Sequence, residues 1–271
     1  MTLYGLDFTS RPTARKPLTL AEGKWLGDTV EVAVVHRLGS FSAWEAVLAT
    51  PGPWLMGCDF PFGLPRDLIH YLGWPETAWA ATVQALASTP REQLESLFKP
   101  YRDAQPVGQK YAHRAADRAA FSSSSMKLVN PPVGLMLYEG APRLLAAGVT
   151  LPGLHEGDPA RLALEAYPGW LARKVLGRAP YKNDAKAKQS PSHTAHRQQL
   201  LTESPEVLGL RLSIAPHAAE AAVADASGDT VDAVLCLLQA AWGWQRREAN
   251  YGLPAKIDPL EGWILTVPAA D

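Results

Sequence analysis

Residues 53–63 read PWLMGCDFPFG. A short apolar run enters the carboxylate of Asp59 and meets Pro61 two residues later, and proline has no N–H to give to a sheet ladder. A buried strand that stops on an acid carries that acid to the edge of a sheet, so this stretch constrains the fold more than any other. Residues 2–8, TLYGLDF, have the same character: they reach Asp7 just before TSRPTARKP, whose prolines and basic residues predict a loop. ARLALEAYP, residues 160–168, echoes it a third time with Glu165 and Pro168. Neighbouring strands of an open α/β sheet direct their carboxyl ends into one crevice. Asp7, Asp59 and Glu165 are therefore expected on one rim.

Between the first two of these runs, LTLAEGKWL and TVEVAVVHRL flank Gly27-Asp28, a two-residue turn signal, and predict a hairpin that extends the first strand into an antiparallel meander. SFSAWEAVLATPG predicts a serine-capped helix with Phe41, Trp44, Val47 and Leu48 at helical intervals, stopped by Pro51-Gly52. The order is strand, strand, strand, helix, strand. From 66 to 148 the pattern turns helical and irregular and reads as a helical insertion in a single domain spanning 1–271. The Ser122–Ser125 run within it reads as a loop. GWLARKVLG and SPSHTAHRQQLLTESP follow as helices. DTVDAVLCLLQAAWGWQRR is a long helix with Val231, Val234, Leu235, Leu238 and Trp242 on one apolar face, and EGWILTVP reads as a last short strand. No repeat of fixed period is present.

Twenty-six basic residues against 27 acidic give a net charge of −1, so nothing pulls the whole chain toward nucleic acid or an anionic membrane. Any polyanion must be met by a local patch. The section from Arg173 to Arg197 offers one: Arg173, Lys174, Arg178, Lys182, Lys186, Lys188 and Arg197 stand against the single acid Asp184, seven bases to one acid. Phosphate binding and a solvated face both account for it. Cys58 and Cys236 lie far apart, and His193 and His196 lack further ligands nearby, so neither a disulfide framework nor a zinc site is expected. The first residues carry no signal-peptide run, and no stretch of about 18 apolar residues occurs; the expectation is a cytoplasmic protein that does not enter membranes. No Walker loop, G-x-S-x-G elbow or dinucleotide fingerprint appears, which argues against a kinase, a serine hydrolase or a Rossmann oxidoreductase.

Asp229 and Asp232, three apart near the start of the long helix, share a face. If they join the strand-end acids, the cluster repels itself: unit charges 4 Å apart cost about 4 kcal/mol at an effective dielectric of 20. Divalent metal is the natural counter-charge, and hard oxygen ligands with few histidines favour Mg²⁺ or Mn²⁺. Two such ions about 4 Å apart clamp the attacking and leaving oxygens of a phosphodiester displacement. Simpler roles stand beside this one: turn acceptors for Asp7 and Asp59, a helix cap for Asp229, a first-turn acid favoured by the helix dipole for Asp232, and a structural carboxylate for Glu165.

GLDFTS, GCDFPFGLP, HRAADRAA, EAYPGWL with YKN downstream, DTVDAV and EGWILTVP occur in this order from Leu3 to Pro268. In this the chain resembles the domain-of-unknown-function family 429, whose members are predicted nucleases with a ribonuclease H fold. The resemblance implies an α/β fold: a ribonuclease H-like, mixed five-stranded sheet flanked by helices, with the helical insertion after strand 4. It implies that Asp7 is the first-strand aspartate, Asp59 the fourth-strand acid, Asp232 the acid of the last helix, and Asp229 the adjacent acid seen in the resolvase-like branch. Only Glu45 could stand for the first-helix glutamate of ribonuclease H itself. Arg114, Asp117 and Arg118 match the family's central motif and would bind a substrate phosphate or form a structural ion-pair network. The expected activity is a divalent-metal-dependent nuclease or phosphodiesterase acting on nucleic acid or a nucleotide-like phosphate ester. Asp7, Asp59, Asp232 and Asp229 would hold Mg²⁺ or Mn²⁺, Glu165 would ligate or orient the attacking water, and Lys182 would hold phosphate with the Arg114–Arg118 segment. Two rivals remain open: a non-catalytic binding module for a nucleotide, RNA or protein partner, and a small-molecule phosphohydrolase with a closed pocket under the insertion.

Overall fold

The computed structural model describes residues 1–183 and 189–269. Asp184, Lys186 and Lys188 of the basic section lie outside the described residues.

The strand-rich N-terminal part comprises β1 (Thr2–Asp7), β2 (Leu18–Leu26), β3 (Thr29–Leu38), α1 (Phe41–Leu48) and β4 (Trp54–Cys58). Gly27 sits in the left-handed region at φ 64° in the β2–β3 turn, and Ser40 caps α1 by accepting from the Ala43 N–H at 3.3 Å. Then come α2 (Arg66–Tyr71), α3 (Trp79–Ser88), α4 (Leu94–Asp103), α5 (Ala115–Ala120) and α6 (Val133–Ala147). The last part holds β5 (Val149–Thr150), β6 (Asp158–Glu165), α7 (Pro168–Leu176), α8 (Pro191–Val207), β7 (Arg211–Ile214), α9 (Pro216–Ala224) and α10 (Asp229–Gln245).

The sheet has seven strands, not five, in the order β5-β6-β4-β1-β2-β3-β7. Only β2 runs against its neighbours; the pairs β1–β4, β4–β6, β5–β6 and β3–β7 are parallel. The two added strands are the outermost ones, of two and four residues, too short to carry a legible alternation. EGWILTVP is not a strand. It makes one parallel bridge, Ile264 to Glu165, and its ladder is broken by positive φ at Gly262 (73°) and Thr266 (68°). The serine run is anchored rather than loose, because Ser124 and Ser125 are buried and the Ser124 hydroxyl bonds to the Ala112 carbonyl. No helix among the described residues is long and apolar enough to cross a membrane.

Each face of the sheet covers its own core. Tyr4, Leu6, Met56 and Cys58 pack with Trp44 of α1 and with α2, α3, α4 and α6, while Leu3, Leu55, Leu162 and Leu164 pack with α7, α8, α9 and α10. Alternate residues of a strand point to opposite faces, and that parity aims the acids. Phe8 and Phe60, each one residue past an aspartate, meet on the first face with ring centroids 4.5 Å apart. Burying a phenylalanine stabilises by about 1.5–3 kcal/mol, so the pair pins the parity of both strand ends.

Candidate functional site

Since Leu6 pairs with Cys58 and the Asp59 N–H donates to the Leu6 carbonyl at 2.9 Å, Asp7 and Asp59 leave adjacent parallel strands side by side. By parity they share the face of Gly5 and Gly57, which lie two residues before them. That face carries α10. A Cβ at Gly5 would collide with the Ala233 carbonyl, and one at Gly57 with the Cys236 carbonyl. Missing side chains thus seat α10 directly on the strand backbones, and its first turn brings Asp232 and Asp229 to the aspartates.

Asp232 is fully buried at the start of this helix. Its Oδ1 accepts from the Tyr181 hydroxyl at 2.7 Å, and its Oδ2 binds the Lys182 ammonium. The lysine stem crosses Gly228, where any Cβ would meet the Lys182 Cδ at 2.8 Å; φ there is 80°, so glycine is required twice over. Arg197 braces this segment by donating to the Tyr181 carbonyl at 2.8 Å and to the Val223 carbonyl at 2.8 Å. It is buried and contributes nothing to a phosphate-facing surface. Asp229 does not cap α10. Gly228 holds the cap position, and Asp225 satisfies the N-terminus by accepting from the Thr230 N–H at 2.9 Å and the Thr230 hydroxyl at 2.7 Å.

Asp7 and Asp59 are partly exposed, and among the described residues neither carboxylate accepts a hydrogen bond. Burial and the charges of Asp232, Asp229 and Asp59 hold the Asp7 carboxyl well above the usual carboxylate range. Burial first, then Asp232, pushes Asp59 up to about 8. Asp229 is raised by burial and by Asp225. For Lys182 burial opposes the charge, yet Asp232, Tyr181 and Asp7 together keep its ammonium well above the ordinary lysine value. Among the described residues, one ammonium therefore stands among four carboxylates. Their chemistry suits a hard divalent cation. Even so, no three His, Cys, Asp or Glu side chains among the described residues are grouped as a ready-made metal site; both oxygens of Asp232 are engaged by Tyr181 and Lys182.

Glu165 reaches the same edge on the other face. It pairs with Cys58 in register, one residue short of Asp59, and so has the opposite parity. Arg114 takes both its oxygens, Nη1 to Oε2 at 2.8 Å and Nη2 to Oε1 at 2.6 Å, and the Phe62 N–H donates to Oε2 at 2.9 Å. The same guanidinium reaches Asp117, with Nη2 to Oδ1 at 2.7 Å, and the Glu261 carbonyl at 2.9 Å. Arg114 and Asp117 are each 1% exposed. Of the two roles open to the central motif, the buried ion-pair network is the one these two residues form. Arg118 is exposed on α5. Glu45 bonds to Arg143 at 2.9 Å and does not join the acids. His193 and His196 also bond locally, to Ser190 and to the Pro180 carbonyl.

Three residues of the site escape sequence reasoning. Tyr181 holds Asp232, Gln239 of α10 accepts from the Tyr167 N–H at 3.0 Å, and Glu261 accepts from the Arg66 and Ala115 N–H groups at 2.8 and 3.2 Å. The tyrosine of YKN and the glutamate of EGW lie inside quoted motifs, which was the available signal; Gln239, a polar residue within an apolar helix, was another.

A pocket of about 160 Å³ opens beside Asp59, lined by Arg114, Ser122, Pro131, Met136 and Tyr167 among others. A wider groove of about 750 Å³ adjoins it through the shared Tyr167 and continues to Tyr181.

No curated protein and no solved structure matches the chain. Residues 5–257 match the family described as Protein of unknown function (DUF429), a span that takes in both strand-end aspartates, Arg114, Asp117 and Glu165, and the whole of α10. With the match covering nearly the full chain, the protein belongs to the DUF429 family.

Proposed function

We propose that this protein is a divalent-metal-dependent phosphodiesterase of ribonuclease H-like architecture, acting on nucleic acid. One observation carries the reading. Asp7 and Asp59 sit side by side without hydrogen-bond partners among the described residues, raised in pKa by burial and by the acids of α10. An arrangement that costs folding energy and is left uncompensated is the mark of a functional site. The inner strands β3-β2-β1-β4-β6, with β2 alone antiparallel, support a five-stranded mixed core as the framework.

Mg²⁺ or Mn²⁺ bound here would supply Lewis-acid charge and a more acidic water for displacement at phosphorus. Asp7 and Asp59 would hold it, with Asp229 as a further oxygen donor; Asp232, whose oxygens Tyr181 and Lys182 occupy, would join them once Lys182 turns to a substrate phosphate. Lys182, its side chain 44% exposed, offers an ammonium to a substrate phosphate. Tyr181 fixes the orientation of Asp232. Glu165 takes no part, because Arg114 and the Phe62 N–H already use its oxygens. The 160 Å³ pocket beside Asp59 is smaller than the roughly 300–1,000 Å³ usual for a small-ligand site and adjoins the wider groove through Tyr167, which favours a substrate extending along both over a small phosphate ester closed in that pocket.

A second reading has its own observation. The engagement of Asp232 by Lys182 and Tyr181 neutralises the last-helix acid without metal, as a non-catalytic nucleotide- or RNA-binding module would. A screen of single-stranded, duplex, hybrid and branched nucleic acids with Mg²⁺ and Mn²⁺, run beside Asp7→Ala, separates the two. The phosphodiesterase reading expects metal-dependent cleavage that Asp7→Ala abolishes. Cleavage of nothing, or wild-type turnover by Asp7→Ala, would refute it.

A further inference from the structure

The groove beside the acids has a composition that the metal site does not explain. Phe121 stands at its rim, 71% exposed, with its backbone in the left-handed region at φ 53°. That conformation is uncommon for any residue but glycine and strained for a bulky one. It does not relax, because the flanking chain is fixed: the Ser122 N–H donates to the Asp117 carbonyl at 3.0 Å, and the Ser122 hydroxyl donates to Asp117 Oδ1 at 3.1 Å. The buried Arg114–Asp117 network thus holds a large aromatic ring out in water. The Arg173 guanidinium lies over this ring, 5.6 Å from its centroid. Arg173 and Arg178 are both exposed and make no ion pair among the described residues. Tyr167 and Tyr181 also line the groove, and Tyr181 donates directly to Asp232.

We infer that this groove binds an unpaired nucleic-acid strand, with a base stacked on Phe121 and the backbone phosphates on Arg173 and Arg178, and so feeds a single strand to the acids. The inference rests on the phosphodiesterase reading only for what happens at the acids. Charge and shape choose the occupant: the chain is near neutral overall, yet here two guanidinium groups without an ion pair among the described residues border an aromatic lining. Arginines neutralise phosphates, and exposed aromatic faces stack on bases without regard to sequence. In a duplex both faces of each internal base are already stacked, so the ring favours an unpaired strand.

Fluorescence anisotropy with labelled oligodeoxythymidine, oligouridine and a duplex of equal length, in metal-free buffer, tests this without cleavage. The single strands should bind at least about tenfold tighter than the duplex. Phe121→Gly should weaken single-strand binding by roughly tenfold, the loss of one stacked base, while its thermal midpoint stays level or rises because glycine suits the left-handed backbone. Arg173→Ala and Arg178→Ala should each flatten the log–log salt dependence by about 0.7. Equal or tighter binding of the duplex, or wild-type affinity in Phe121→Gly, would overturn the proposal. The two readings fail separately. Single-strand binding of this pattern without Mn²⁺-dependent cleavage leaves the groove standing and removes the phosphodiesterase. Mn²⁺-dependent cleavage with unchanged KM in Phe121→Gly does the reverse.

Discussion

At the end of β6, Glu165 meets Arg114 and Asp117 in a network that uses every N–H of the guanidinium. At the neighbouring ends of β1 and β4, Asp7 and Asp59 meet Asp229 and Asp232, with the Lys182 ammonium as the one cation among them in the described residues. Both clusters bring acids together from distant parts of the chain, at the same edge of the same sheet. The first is closed: donors and acceptors are matched, and α5 is locked to β6 and the C-terminal segment. The second is open, its repulsion balanced by the packing of α10 on Gly5 and Gly57. A satisfied buried network builds structure, whereas an unsatisfied one stores energy that a ligand can release.

The closed cluster should be the more damaging one to disrupt. Arg114→Ala leaves two buried carboxylates without their cation, and should cost about 3–5 kcal/mol of stability, read as a lower midpoint in urea denaturation. If the variant melts like the wild type, the network is not structural. On the open side the same kind of change should act in the other direction. Asp7→Asn removes a repelled charge, so its metal-free thermal midpoint should match or exceed the wild type's even as cleavage is lost.

The pH dependence sharpens the contrast. Asp59, at about 8 in the folded protein against about 3.9 unfolded, binds a proton between those values that the unfolded chain does not. Its contribution to stability is therefore full below about pH 4 and is lost as pH rises through about 8; the raised Asp7 carboxyl acts with the same sign. Metal-free thermal melts should fall from mildly acidic to mildly alkaline pH, and Asp59→Asn should flatten that fall. A slope identical in the variant would remove Asp59 from the account. The smallest effect belongs to Arg118, exposed on α5: Arg118→Ala should change stability by no more than about 0.5 kcal/mol in the same denaturation assay.

What the sequence made legible is what parity and period control. Asp7 and Asp59 follow apolar strands, a local pattern that the structure keeps; the long helix is buried on every side from Thr230 to Ala241 rather than on the one face its spacing suggested. Glu165 was legible as a strand-end acid but not as one facing the other way, because a one-residue offset in register reverses the face. The missing cue is the glycine two residues earlier: GLD and GCD carry it, and ALE does not. Arg114 with Glu165 and Lys182 with Asp232 span 51 and 50 residues, and no local pattern encodes pairings at that range. β5 and β7 were too short to read, and EGWILTVP has strand-like composition without the backbone to continue a ladder.

Calorimetric titration of the protein with Mn²⁺ near neutral pH shows whether the open cluster takes up divalent metal. The account predicts a binding isotherm with proton release, since Asp59 is largely protonated there, and its loss in the Asp7→Asn, Asp59→Asn double variant. No heat of binding from the wild type, or the same isotherm from the double variant, would contradict it.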